Sequence, residues 1–110
     1  DKENGCLNYA RKSHLGDIRA HDCSQVLGFS QTILDFKERD QVNVHAAIME
    51  PGDMVAHHSR TIHWAGANSS NRTRQGLALV FFSDRAQRDE KAFTRYQKSF
   101  ERQLDEIRST

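Results

Sequence analysis

A mainly β fold followed by a C-terminal amphipathic helix is predicted here by three observations. Short runs of alternating apolar and polar residues recur between turn signals as far as Ser83. Beyond Ser83 the apolar period lengthens from two to three or four residues. No apolar run approaches the roughly 20 residues that would cross a bilayer. Closely spaced strands with turn signals point to a sandwich or jelly roll. The 110 residues suffice for one domain with one core. Residues 1–84 read as its β part, and 85–110 as a helix that packs on it or on a partner subunit.

Asn4-Gly5 is a turn signal, and Cys6 to Ala10 is the short strand after it. Ser13-His14-Leu15-Gly16 breaks that pattern. Asp17 to Ser30 has no clean period and reads as a loop. Thr32 to Phe36 is a weak strand, ended by the charged run Lys37 to Asp40. Val42 to Ile48 places Val42, Val44, Ala46 and Ile48 on one face, the pattern of a half-buried strand. Pro51-Gly52-Asp53 supplies a tight turn, because proline presets φ and glycine accepts φ > 0. Met54 to His57 reads as the return strand, and Thr61 to Ala65 as another.

Arg74 to Phe82 alternates most cleanly. Leu77, Leu79 and Phe81 share one face; Arg74, Gly76, Ala78, Val80 and Phe82 share the other. A barrel interior that admits a ligand near an arginine would carry such a face. Asp84 and Gln87 then resemble a capping box. Phe93, Tyr96, Phe100, Leu104 and Ile107 form one stripe on a helix of about six turns.

The net charge of +1 argues against a nucleic-acid or membrane-surface partner. Cys6 and Cys23 are too few and too far apart for a disulfide scaffold or a CxxC zinc site, which favours a reducing, cytoplasmic location. Asn68-Ser69-Ser70 and Asn71-Arg72-Thr73 match the N-glycosylation triplet and are read as loop chemistry.

His57, His58 and His63 are three of the six histidines, and Arg74 follows His63 by eleven residues. Adjacent strand residues point to opposite faces, so at most one of His57 and His58 can share a site with His63. A lone strand-end histidine is ordinarily satisfied by water or a carbonyl. An arginine fork on an inward face, however, matches a carboxylate bidentately and keeps its charge when partly buried. Imidazole and arginine together suggest a metal whose co-substrate is an organic acid, as in the non-haem iron(II) oxygenases with two histidines and one carboxylate.

"ENGCLNYARKSHLG" followed by "EPGDMVAHHSRTIHWAGANSSNRTRQGLALVFF" resembles the C-terminal half of the phytanoyl-CoA dioxygenase family, from about Glu3 to Phe82. Gly52-Asp53, His63, Asn68 and Arg74 stand in its order and spacing. The resemblance implies a double-stranded β-helix (jelly roll, cupin-like) that binds Fe(II) and 2-oxoglutarate and hydroxylates a small or lipid-like substrate. It makes His63 the distal iron ligand, and Arg74 the partner of the far 2-oxoglutarate carboxylate. Ser13-His14 matches the end of the family's Pro-Gly-Ser-His motif.

Three departures are visible. Arg11-Lys12 replaces Pro-Gly, and Ala65 stands where many members carry serine. No His-x-Asp or His-x-Glu pair, the family's other metal ligands, occurs in these 110 residues. The expectation is therefore an incomplete jelly roll carrying half of an oxygenase site, from a fragment or a degenerate member, with no catalytic residue of its own identified. Its partners would be a small-molecule substrate and a second copy of the chain, with neither nucleic acid nor membrane. One rival is a small cupin-like domain that binds a metal or ligand through His57 or His58, His63 and His45. Another is a non-catalytic dimeric β-sandwich joined through open strand edges.

Overall fold

A computed structural model describes residues 1–24 and 31–109. The chain divides into two compact units, one of residues 1–18 and 36–78, the other of residues 19–35 and 79–110. The strands are β1 (Leu7–Ala10), β2 (His21–Cys23), β3 (Gln31–Ile33), β4 (Val44–Ala46) and β5 (His63–Ala65); one helix, α1, spans Glu90–Ser109. These small antiparallel sheets and the C-terminal helix match the expected class only coarsely. They do not amount to a closed jelly roll.

In the first unit β1 is the centre of a three-stranded antiparallel sheet ordered β4-β1-β5. The strand follows the Asn4-Gly5 turn, where Gly5 takes φ 75°. A Cβ on Gly5 would lie 2.4 Å from the Gly66 carbonyl oxygen, so this close approach requires glycine. Backbone hydrogen bonds from Ala10 to Ile62, Arg11 to Asn43 and Ala47 to Leu7 extend both pairings beyond the strand ends. The buried apolar side chains, Cys6, Tyr9, Ala10 and Ala47, all lie on or beside β1 and β4. A 3-10 turn, Ser13–Leu15, follows β1. There the Ser13 hydroxyl donates to the Ala10 carbonyl (2.7 Å) and accepts from the Ile62 amide (2.8 Å), tying the turn to the start of β5. The Pro51-Gly52-Asp53 turn forms as expected, with Gly52 at φ 100° and the Asp53 carboxylate accepting from the Glu50 amide at 2.9 Å.

In the second unit β2 and β3 pair antiparallel, and α1 packs on β2. Asp22 and Cys23 lie in a segment read from sequence as loop; the Gln25–Ser30 part of that reading lies outside the described residues. The Cys23 thiol contacts the Ser99 carbonyl at 2.7 Å and its hydroxyl at 2.9 Å. The Gln103 side-chain amide donates to the Ser24 carbonyl. Arg19 and Asp35 form an ion pair at 2.7 Å.

Four expectations need correction. Val42 is 82% exposed and precedes β4, because the 3-10 turn Glu38–Gln41 carries it in helical φ/ψ. Met54 to His57 is irregular. So is Arg74 to Phe82: no described strand pairs with it, and Phe81 is 86% exposed. Alternation fixes a face only where a neighbour supplies ladder hydrogen bonds. The helix, finally, starts at Glu90 and is capped by Asp89, whose carboxylate accepts from the Ala92 amide at 2.9 Å. Asp84 instead lies in a turn closed by the Ala86 amide on the Ser83 carbonyl. Ser99 and Gln103 are the buried helix positions, whereas Phe100 of the expected stripe stays 38% exposed. The polar partners offered by Cys23 and Ser24 account for this rotation of the buried face. Among the described residues no helix is long and apolar enough to cross a membrane.

Candidate metal and anion site

The register of the three-stranded sheet builds one row of side chains. Tyr9 stands opposite His45 on one side and opposite His63 on the other. Directly opposed residues share a face of the sheet, so His45, Tyr9 and His63 form a band across β4, β1 and β5. Arg11, two residues beyond Tyr9, returns to that face. His57, from the irregular segment before β5, closes over it: its ring centre lies 4.7 Å from His63 and 5.1 Å from Tyr9. His58 turns toward His14 at 5.7 Å. Thus His57 joins His63 and its neighbour does not; the segment is irregular, so packing and not strand alternation makes the choice.

Hydrogen bonding assigns the imidazole protons. A carbonyl oxygen can only accept, so His63 donates Nδ1–H to Thr61 (2.9 Å) and His57 donates Nδ1–H to His58 (3.1 Å). In the neutral rings both Nε2 atoms then carry a free lone pair, as in metal-binding histidines whose other nitrogen is held by a carbonyl. The reverse holds nearby. The guanidinium of Arg11 donates to Nδ1 of His45 at 3.2 Å, and the Arg60 amide donates to Nδ1 of His58 at 3.1 Å. Those two rings carry their protons on Nε2.

Tyr9 is buried, and its hydroxyl has no hydrogen-bond partner among the described residues. Desolvation raises its pKa above the ordinary tyrosine value, because burial penalises the phenolate.

Arg74 sits elsewhere in this unit. Its guanidinium donates to the carbonyl of Gly5, in the turn before β1 and four residues before Tyr9. Arg74 braces the Asn4-Gly5 turn in this arrangement. Asn68, the other residue of the matched motif, orders its loop: its side-chain amide donates to the Arg72 carbonyl at 2.6 Å and its side-chain oxygen accepts from the Ser70 amide at 3.0 Å.

No group of three or more histidine, cysteine, aspartate or glutamate residues is placed to hold a metal ion among the described residues. In the neutral His63 ring Nε2 is left free for a ligand, and no His-x-Asp or His-x-Glu pair occurs in these 110 residues. Sequence reasoning missed Tyr9 and the Arg11–His45 pair. The alternation of Leu7, Tyr9 and Arg11 was the available signal.

The family model for phytanoyl-CoA dioxygenase (PhyH) matches residues 1–76. The chain belongs to the phytanoyl-CoA dioxygenase family. Bovine peroxisomal phytanoyl-CoA dioxygenase is 33% identical over 85 residues, covering 74% of this chain and 25% of the relative. The human protein of that name is 31% identical over 86 residues, with 74% and 25% covered. The mouse protein is 31% identical over 91 residues, with 79% and 26% covered. This phytanoyl-CoA dioxygenase-like chain therefore spans about a quarter of the length of the curated relatives it matches. No solved structure matches it.

Proposed function

We propose that these residues form the distal part of a 2-oxoglutarate- and Fe(II)-dependent dioxygenase site, on part of a jelly-roll, cupin-like fold. His63 would give Nε2 to the iron, and Arg74 would hold the far carboxylate of 2-oxoglutarate. The observation that carries this reading is the His63 tautomer. By resemblance His63 stands for the distal iron ligand; its Nδ1–H is held by the Thr61 carbonyl and its Nε2 is left free. Iron and 2-oxoglutarate supply the oxidising chemistry when bound; the protein binds, orients and excludes water. The relatives are named for phytanoyl-CoA, which makes a lipid-like substrate the first to test.

Titration of the Ni(II)-loaded chain with 2-oxoglutarate tests the assignment. Binding should disappear in His63→Ala and weaken in Arg74→Ala. Unchanged affinity in both variants would show that neither residue holds the co-substrate or its metal. A cytoplasmic location belongs to the same proposal and is read by fractionation against a peroxisomal marker.

A metal-binding cupin-like domain without dioxygenase activity is the second reading, favoured by the 4.7 Å approach of His57 to His63. Metal binding without any 2-oxoglutarate dependence would select it. A homodimer is proposed under either reading, because the apolar run Leu77–Phe82 is exposed.

A further inference from the structure

Beside the imidazole pair lies a cavity of about 380 Å³ whose walls include Tyr9, Arg11, Lys12, His14, His45 and His58. No aspartate or glutamate lines it. Arg11 and Lys12 bring two cationic side chains. The tautomers above add two neutral donors, because His45 and His58 both carry their protons on Nε2. A concave surface bordered by two cationic side chains, without a carboxylate, is complementary to an oxyanion.

Lys12 adds a second, independent observation. Its backbone takes φ 63°, the left-handed region that disfavours side chains, and it is the only non-glycine residue to do so among those described. The family's Pro-Gly-Ser-His motif has glycine at this position, which adopts that φ without strain. This chain retains the glycine conformation and places a lysine in it, preceded by an arginine in place of proline. Strain of this kind persists where the surrounding structure and the function hold it.

We infer that this cavity binds the carboxylate or phosphate group of a small acid, with Arg11 and Lys12 supplying charge and His45 and His58 supplying Nε2–H donors. This binding does not rest on the proposed function. The site is distinct from Arg74, which bonds to Gly5 and does not line the cavity.

The test is calorimetric titration of the full chain with inorganic phosphate and, separately, acetate at low ionic strength. Imidazole NMR resonances of His45 and His58 are followed in parallel. Saturable binding is expected, weakened on the order of tenfold by Arg11→Gln and by Lys12→Gly and unaffected by Arg60→Gln. Lys12→Gly removes the charge while relieving the backbone, so loss of binding there cannot be assigned to unfolding. The tighter of the two probes identifies the group. Absence of saturable binding by either probe, or equal weakening in Arg60→Gln, overturns the inference. So does loss of phosphate binding in Arg74→Gln. Phosphate binding that persists when no 2-oxoglutarate binding is found supports the cavity assignment and removes the dioxygenase reading alone.

Discussion

The rings of His57 and His63 are centred 4.7 Å apart, each with Nδ1–H held by a backbone carbonyl. Two imidazoles on one ion, each nitrogen about 2.0–2.1 Å from the metal, place their ring centres about 5 Å apart. We propose that the pair shares one divalent ion.

This spacing leads to the first prediction. The chain should bind Fe(II) or Ni(II) weakly, with loss of binding in His63→Ala and weakening in His57→Ala. Elemental analysis after dialysis measures it. A stoichiometric metal retained in His63→Ala would place the ion elsewhere.

Arg74 spends one guanidinium N–H on the Gly5 carbonyl and keeps the others for a carboxylate. Arg74→Ala should therefore have two effects. It should weaken 2-oxoglutarate binding by about 1.5–3 kcal/mol, the scale of a charge-assisted pair. It should also lower stability modestly by releasing the Asn4-Gly5 turn. Ligand titration and urea unfolding read the two effects separately, and unchanged affinity would leave Arg74 a purely structural brace.

Gly5→Ala is expected to be far more costly. It combines φ 75° with a Cβ 2.4 Å from a backbone oxygen, so destabilisation should be at least about 2 kcal/mol. A shift of the urea midpoint by less than half that amount would mean that the turn relaxes.

Tyr9 makes stability sensitive to alkali. Its folded-state pKa is raised, so the folded protein keeps the phenol proton to a higher pH than the unfolded chain does. That contribution is fully present below the ordinary tyrosine value of about 10 and is lost as pH rises through the folded-state value. Tyr9→Phe should abolish this alkaline loss. At neutral pH it should be nearly neutral or stabilising, because the hydroxyl it removes is buried and unpartnered. Urea unfolding at pH 7 and pH 10.5 compares the two proteins.

The segment Leu77–Phe82 should drive self-association. Burying roughly 300 Å² of apolar surface is worth about 7 kcal/mol, comparable to the whole stability of a small domain. Sedimentation at low micromolar concentration should show a dimer, and Phe81→Ser should shift it toward monomer. A cooperatively folding wild-type monomer would end this expectation.

Much of the sheet around the site was legible in the sequence, because strand cores and turns are local. Leu7–Ala10, His63–Ala65 and the Pro51-Gly52-Asp53 turn follow from residues within a few positions of each. The choice of His57 over His58 as the neighbour of His63 was not legible: the segment is irregular, so strand alternation does not apply, and the packing against Tyr9 decided it. The Tyr9 row was not legible, since it depends on the register of three strands drawn from positions 9, 45 and 63. Arg74 to Phe82 misled for the same reason. Its pattern is that of a strand, and pairing is settled by a partner that local periodicity does not contain.

The contact between Cys23 and Ser99 links positions 76 residues apart. At the usual pace of synthesis, about 5–20 residues per second, the β2–β3 hairpin leaves the ribosome roughly 3–13 s before the helix residue that covers it. Hairpins form within microseconds, so for that interval the Cys23 thiol and the Ser24 carbonyl wait without the helix. Docking of α1 is then a long-range closure that comes late in folding. This leaves the nascent chain open to oxidation at Cys23 and to mispairing along its hairpin edges.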